Sequence, residues 1–114
     1  MNTPLTPQVF HILLALGDGP AHGYAIMREV EGRTAGAVKL GAGTLYGAIR
    51  RLRERGWIEE LAETPAGAES DDERRRYYRL TASGRAAARS EAKRLESLLE
   101  QARAKRLLPS EGPA

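Results

Sequence analysis

The chain has 114 residues, enough for one domain with one accessory element, and its 18 Lys and Arg against 15 Asp and Glu give a net charge of +3. It contains no cysteine, which excludes disulfides and thiolate metal ligands. The longest apolar run, 12–16, is too short to cross a bilayer, and no signal peptide is recognisable. We expect a soluble cytoplasmic protein whose charge permits an anionic partner without requiring one.

The first predicted helix is short and apolar. Thr6 can cap it with Pro7 at its first position, and Gly17 ends it. A helix that is apolar on almost every side must be buried on all sides, and so small a domain does not cover it fully. We therefore expect Val9 and Leu13 to contact a second copy of the chain.

A second helix is predicted over 21–31, followed by a glycine-punctuated connector over 32–41. We expect His22 to cap this helix and His11 to flank the first one. These two histidines lack an i, i+4 partner and any cysteine, so the sequence predicts neither a metal site nor a cofactor.

The third predicted helix is amphipathic. Its apolar side chains recur at i, i+3, i+4 and i+7, and they are Leu45, Ala48, Ile49 and Leu52. The opposite face carries Gly43, Gly47 and Arg50, flanked by Tyr46 and Arg51. Small residues allow a close backbone approach, and phenol and guanidinium donors match phosphate oxygens and guanine edges, which is typical of a DNA recognition helix. The alternative is a solvated basic surface helix.

Beyond Gly56 the pattern alternates, which predicts strands over 57–63 and 75–81 joined by a long polar tip. Either strand face can be the buried one, and we favour the side of Ile58, Tyr78 and Leu80. Three helices followed by a hairpin are the order of a winged helix-turn-helix, a mainly α fold with a small β-hairpin. An α+β domain of unrelated purpose is the alternative.

The last predicted helix covers 82–108 and carries the seam of a coiled coil. The 4,3,4,3 rhythm is set by Ala88, Ala92, Leu95, Leu99 and Ala102. This helix needs a partner, either a second copy or its own domain. The predicted organisation is a DNA-binding domain over 1–81, a dimerisation helix over 82–108 and a flexible tail over 109–114.

Several short motifs occur in a fixed order, and together they resemble the PadR family of bacterial transcriptional regulators. They are His22-Gly23-Tyr24, Gly43-Thr44-Leu45-Tyr46, Arg50-Arg51-Leu52, Arg76-Tyr77-Tyr78-Arg79-Leu80-Thr81 and Gly84-Arg85. The resemblance covers roughly 5–85 and implies a dimeric winged-helix repressor whose third helix enters the major groove of a pseudo-palindromic operator. A single helix after the wing resembles the smaller branch of that family. Some of its members bind flat aromatic drugs between subunits, but the last helix here has no tryptophan, so the existence of a small-molecule effector stays open.

The resemblance and the chemistry of the side chains together give the expected DNA-binding set. It comprises Tyr24, Lys39, Gly43, Thr44, Tyr46, Gly47, Arg50, Arg51, Arg75 and Arg76. The hydroxyls at 24, 44 and 46 can donate to phosphate, although the two tyrosines can equally pack between helices. Arg50 is the candidate for base reading, whereas Arg51 and Lys39 are expected at phosphates. Arg53 and Arg55 are expected to be solvated or paired with Glu59 or Glu60.

Two features depart from the family pattern. The family usually has prolines where this chain has Ala42 and Gly47. The wing tip is acidic and would repel phosphates, so we expect it to turn away from DNA and leave the arginines 74–76 for any backbone contact. The acidic residues are Glu69, Asp71, Asp72 and Glu73.

No enzymatic constellation is visible. The glycines at 41 and 43 belong to no βαβ unit, and Glu59 and Glu60 point to opposite strand faces, so they cannot act as a catalytic pair. The competing hypotheses are a DNA-binding regulator and a winged-helix module that binds protein with the same surface. Salt dependence separates them, because only phosphate contacts release many counterions.

Overall fold

The computed structural model describes residues 4–62 and 76–109. The elements follow one another as α1 (Pro7–Ala15), β1 (Ala21–His22), α2 (Gly23–Arg33), α3 (Ala42–Glu54), β2 (Ile58–Glu60), β3 (Tyr77–Leu80) and α4 (Ala82–Ala104). This confirms the expected mainly helical winged helix-turn-helix class. The acidic wing tip, Arg74, Arg75 and the tail beyond 109 lie outside the described residues.

Local capping explains where the first two helices begin. Thr6 Oγ1 accepts a hydrogen bond from the Val9 backbone N–H at 3.2 Å, as predicted. The helix predicted over 21–31 begins two residues later and ends at Arg33, because residues 21 and 22 form a strand. His22 is the cap of α2, as predicted, and its Nδ1 accepts from the Ala25 N–H at 3.1 Å.

The sheet has three antiparallel strands in the order β1-β3-β2, one more than the predicted hairpin. Ala21 pairs with Tyr78, and Ile58 pairs with Leu80. The predicted inward face is confirmed, since Ile58 and Tyr78 are buried and Leu80 is half-buried against the core. The central strand β3 therefore joins the start of α2 to the end of α3.

The core is built by one face of each of the first three helices and closed by the sheet. Its buried members are Ile12, Leu13, Ala15, Leu16, Ile26, Val30, Leu40, Leu45, Ala48, Ile49, Leu52, Ile58 and Tyr78. All four residues of the predicted α3 stripe are among them. The opposite side of α3 is consequently directed outward.

The end of α3 is fixed by a glycine in the left-handed region. Gly56 has φ +77° and its N–H donates to the Arg53 carbonyl at 3.0 Å, while the Trp57 N–H donates to the Leu52 carbonyl at 3.0 Å. This hydrogen-bond pair is a Schellman motif, which ends a helix abruptly. The chain therefore turns directly from α3 into β2.

The start of α4 is locked onto that same turn. The Thr81 hydroxyl donates to the Gly56 carbonyl at 2.5 Å and accepts from the Gly84 N–H at 3.0 Å. A Cβ at Gly84 would overlap the Trp57 carbonyl oxygen. The Thr-x-x-Gly spacing at 81–84 thus sets how closely α4 approaches the winged-helix domain.

The helix α4 has two different halves. Its first half packs on α1 and buries Gly84 and Glu91, with Ala88 half-buried against the core. In the second half the side chains of Leu98 and Leu99 are each 46% exposed. The helix ends at Ala104, four residues before the predicted end.

Candidate nucleic-acid interface

The outward face of α3 carries small and basic residues. Gly43, Thr44, Arg50 and Arg51 are exposed, and Gly47 is half-buried. They lie opposite the buried stripe, as the helical period predicts. The sequence analysis passed over Glu54, which lies on the same side of the helix as positions 43, 47 and 50. Its carboxylate marks the end of the basic surface.

The two glycines leave the α3 backbone accessible. Among the described residues, a Cβ at Gly43 would have no heavy atom within 4 Å, and one at Gly47 would meet only Arg51 Nη1, at 3.6 Å. Packing against the described part of the chain therefore requires neither glycine. Because they carry no side chain, a partner molecule can approach the α3 backbone closely at both positions.

The cations of this face have no carboxylate partner within the described ranges. None of Lys39, Arg50 and Arg51 forms an ion pair there. By contrast, Arg33 pairs with Glu29 and Arg79 pairs with Glu59, both away from this face. Unpaired guanidinium groups on one exposed face offer their full charge to an anionic partner.

Two tyrosines stand beside the face. Tyr46 is 48% exposed and its ring end lies so close to Gly23 that a Cβ there would overlap the hydroxyl. Tyr24 is 51% exposed, and the Arg28 guanidinium lies 5.8 Å from its ring centroid. The Tyr46 hydroxyl therefore packs against the start of α2, as the packing alternative expected, although almost half of the residue stays exposed. Tyr24 is more open, and Arg28 beside it is an exposed cation that the sequence analysis missed.

The remaining predicted contacts lie at the edges of the surface. Lys39 is exposed in the connector before α3, beside a groove that Thr6 and Gln8 also line. Arg76 is exposed at the start of β3, whereas Arg75 lies outside the described residues. The described members of the predicted set thus fall on α2, the connector, α3 and the base of the wing.

The open alternatives for the last arginines of α3 are resolved. Arg53 Nη1 lies 3.7 Å from Glu60 Oε1 while 47% of its side chain stays exposed, so it is paired and also partly solvated. Arg55 stacks over the Trp57 ring, with 5.0 Å from its Cζ to the centroid. Only the first three turns of α3 therefore present free guanidinium groups.

A buried phenol underlies the pairing at Glu60. Tyr78 faces Glu60 across the β2–β3 ladder. Burial raises the pKa of the Tyr78 hydroxyl, and the negative charge of Glu60 raises it further. The phenol stays neutral, so the charge here is set by Glu60 and by Arg53 and Arg76.

The predicted dimerisation residues divide between core and surface. Leu13 is buried in the subunit's own core, Val9 is half-buried against it, and Ala88 packs there as well. On α4, Ala92 and Leu99 are exposed. The remaining two, Leu95 and Ala102, are half-buried.

Two exposed leucines were missed by the sequence analysis. Leu14 of α1 is 42% exposed, and Leu98 of α4 is as exposed as Leu99. Leu98 lies three residues before Ala102 and so extends the apolar surface of α4 along the helix. The sequence pattern could not single out Leu14 as exposed, because its neighbours in α1 are equally apolar.

The described residues offer neither a membrane-spanning helix nor a metal-binding cluster. No described helix has both the length and the apolarity needed to span a membrane. Within 4–62 and 76–109, no group of three His, Asp or Glu side chains is placed to hold a metal ion.

The chain is similar to proteins of known sequence over part of their length. The model of the transcriptional regulator PadR-like family matches residues 12–90. An uncharacterized 37.1 kDa protein of transposon TN4556 from Streptomyces fradiae is 42% identical over an alignment of 67 residues that covers 51% of this chain and 19% of that protein. An uncharacterized protein X from Lysinibacillus sphaericus is 33% identical over 75 residues, which are 66% of this chain and 65% of that protein. The matched part is thus less than two thirds of either relative.

Solved structures share the fold. A transcriptional regulator from Clostridium thermocellum is 24% identical with a TM-score of 0.67, covering 90% of this chain and 92% of that one. A PadR family regulator from Clostridium difficile is 22% identical with a TM-score of 0.68, covering 84% and 94%. Bacillus subtilis PadR, solved in complex with operator DNA, is 21% identical with a TM-score of 0.60, covering 75% and 46%.

Fold and site define a winged-helix protein of the kind found in transcriptional regulators. Since the family model spans more than half of the sequence, the chain belongs to the transcriptional regulator PadR-like family.

Proposed function

We propose that this protein is a homodimeric, sequence-specific DNA-binding repressor that acts in the cytoplasm on a pseudo-palindromic operator. One observation carries the proposal: the outward side of α3 combines accessible backbone at Gly43 with the guanidinium groups of Arg50 and Arg51, which form no ion pair with any described residue. A helix of that kind fits the major groove, where its N-terminal residues meet base edges.

The roles follow from position and donor chemistry. Arg50, on the line of Gly43 and Gly47, reads a base edge, because a guanidinium makes paired hydrogen bonds with guanine. The exposed cations Lys39 and Arg51 bind phosphate and fix the register. Tyr24, Thr44 and Tyr46 donate from their hydroxyls to the backbone beside them, and Arg75 and Arg76 contact it from the base of the wing.

The dimer is proposed from the apolar surface that α4 leaves uncovered. Leu98 and Leu99 lie in the second half of α4 and are each 46% exposed. Apolar side chains repeating along a helix are buried most readily by the same helix of a second copy. We propose that Ala92, Leu95, Leu99 and Ala102 line that contact, joined by Leu98 and, from α1, by Val9 and Leu14.

Selection of bound duplexes from a random pool tests the proposal. The purified protein should enrich a sequence with two related half-sites about 34 Å apart. Its affinity for that duplex should fall steeply with salt, because several Lys and Arg contacts displace counterions. Enrichment of no sequence at low ionic strength, together with binding of a protein partner that is insensitive to salt, would favour the protein-binding alternative.

Two variants then distinguish recognition of the base sequence from contact with the DNA backbone. Arg50→Ala should reduce the ratio of selected-duplex to random-duplex affinity by about 10-fold or more, since a bidentate base contact contributes about 1–3 kcal/mol. Lys39→Ala is the matched control, which should weaken both duplexes nearly equally. Equal losses on both duplexes for Arg50→Ala would remove its reading role.

A further inference from the structure

A single carboxylate stands between two arginines at the junction of α3 and the wing. Glu60 Oε1 lies 3.7 Å from Arg53 Nη1 and 3.6 Å from Arg76 Nη1. Arg53 comes from the last turn of α3, Glu60 from β2, and Arg76 from the residue before β3. One acidic side chain thus connects the recognition helix to the base of the wing.

The contacts of this carboxylate are incomplete. Glu60 Oε1 is inaccessible to water, and no group in the described parts of the chain donates a hydrogen bond to it. Both guanidinium nitrogens stand beyond ordinary hydrogen-bond distance, and the Arg76 side chain is 69% exposed. The pair with the largely exposed Arg76 contributes little stability, so Arg76 can leave at small cost while Arg53 stays beside the carboxylate.

The arginines have another possible anionic partner. Arg76 lies at the base of the wing, where the proposed function requires a contact with the DNA backbone. A phosphate oxygen offers short, charge-assisted hydrogen bonds that Glu60 does not provide here. A carboxylate at this place therefore competes with DNA for the same guanidinium group.

We propose that Glu60 is an internal competitor for phosphate that lowers the affinity of this regulator for all DNA, and that binding exchanges its contact with Arg76 for one with the DNA backbone. This inference rests on the proposed DNA-binding function. It assigns to Glu60 a role in affinity and none in sequence reading, because Arg76 is expected to touch phosphate and no base.

The adjacent carboxylate supplies a matched control. Glu59 lies on the opposite face of β2, where its Oε1 accepts from Arg79 Nε at 2.5 Å. Glu60→Gln and Glu59→Gln change the net charge equally and keep the side-chain shape. Any difference in DNA affinity between the two variants therefore reports where the charge lies and does not reflect the net charge.

The experiment measures affinities of the full chain for the selected duplex and for a random duplex. Glu60→Gln should tighten both by a similar factor of about 2- to 5-fold, which is the range of a weak, partly exposed ion pair. Glu59→Gln should change either affinity less than about 2-fold. In the Arg76→Ala background, the gain from Glu60→Gln should shrink, as expected for groups that interact directly.

Folding is monitored separately by thermal unfolding of each variant. The pKa of the Tyr78 hydroxyl provides a second measurement that needs no DNA. It should be lower in Glu60→Gln than in the wild type if the cluster keeps its geometry, because the negative charge of Glu60 is lost. Identical behaviour of Glu60→Gln and Glu59→Gln on DNA would overturn the inference, as would weaker binding by Glu60→Gln in a folded protein. A wild-type protein that binds no duplex would instead contradict the proposed function, and the inference with it.

Discussion

The helices α3 and α4 expose opposite kinds of surface. In α3 the apolar stripe is fully buried by its own domain, and the outward face is left with glycine backbone and with arginines that no described carboxylate pairs. In α4 the first half is packed, and the second half leaves Leu98 and Leu99 open. The partner proposed for each helix fits the chemistry that the helix leaves unsatisfied: an anion for α3, and an apolar surface for α4.

The largest expected effect comes from placing charge on the apolar half of α4. Leu98→Glu combined with Leu99→Glu should raise the dimer dissociation constant by roughly 100-fold or more, because an uncompensated buried charge costs about 3 kcal/mol or more. Sedimentation at several protein concentrations measures this change. Ser97→Glu, on an exposed position of the same helix, is the control. A double variant that dimerises as well as wild type would remove α4 from the interface.

The contact between the start of α4 and the turn after α3 should be nearly as sensitive to substitution. Gly84→Ala places a methyl group against the Trp57 carbonyl, and backbone cannot move aside as a flexible side chain can. We expect a loss of about 1–3 kcal/mol in the free energy of unfolding, the usual cost of overpacking. Urea denaturation measures it. Gly32→Ala in α2, where a Cβ meets nothing within 4 Å, should be neutral or stabilising, and equal losses in both variants would contradict the packing account.

The outward face of α3 should show stability and binding moving in opposite directions. Gly43→Ala adds a methyl group in open space, so the free energy of unfolding should rise by up to about 1 kcal/mol through helix propensity. The same methyl group should lower DNA affinity by about 10-fold, a loss of roughly 1.4 kcal/mol from a closely approached surface. Parallel denaturation and DNA titration reveal both changes. Unimpaired DNA binding would mean that the α3 backbone does not approach the duplex at this point.

The smallest effect concerns the packed half of α4. The Arg94 guanidinium donates to both oxygens of Glu91, at 2.8 and 2.6 Å, and holds the pKa of this carboxyl below its usual range, aided by the Leu5 backbone N–H. A lowered pKa stabilises the fold above the ordinary value of 4.5, and this stabilisation disappears as the pH falls through the folded-state pKa. Glu91→Gln should therefore lower the melting temperature at pH 7 and have less effect at pH 3. A difference from wild type that is unchanged between these two pH values would contradict the role of the ionised pair.

The sequence predicted the elements whose signals are local. The cap at Thr6 and the four-residue stripe of α3 need only neighbours along the helix, and both were correct. Strand β1 was missed because two residues cannot display an alternation, and it exists only through pairing with β3 more than 50 residues later. The same pairing displaced the start of α2 to Gly23.

Burial of polar side chains was harder to foresee than burial of apolar ones. Periodicity treats Glu91 as a surface residue, yet Arg94 and the N-terminal segment cover it. The choice between a solvated and a paired Arg53 also stayed open, since the answer depends on how the turn after α3 brings Glu60 beside it. Contacts across elements set the charge of the candidate site, and a local pattern does not encode them.

A tethered cleavage reagent shows whether α3 enters the DNA groove. Because the chain has no cysteine, Ala42→Cys supplies a single thiol at the exposed start of α3, beside the proposed contact, and Ser97→Cys supplies one on α4 as a control. Each thiol is coupled to an iron chelate that cuts nearby DNA, and the cuts are mapped on the selected duplex. The reagent at position 42 should cut at two centres about one helical turn, near 34 Å, apart, and the reagent at position 97 should not cut there. Absence of cutting from position 42 on a duplex that the labelled protein still binds would contradict the placement of α3 in the groove.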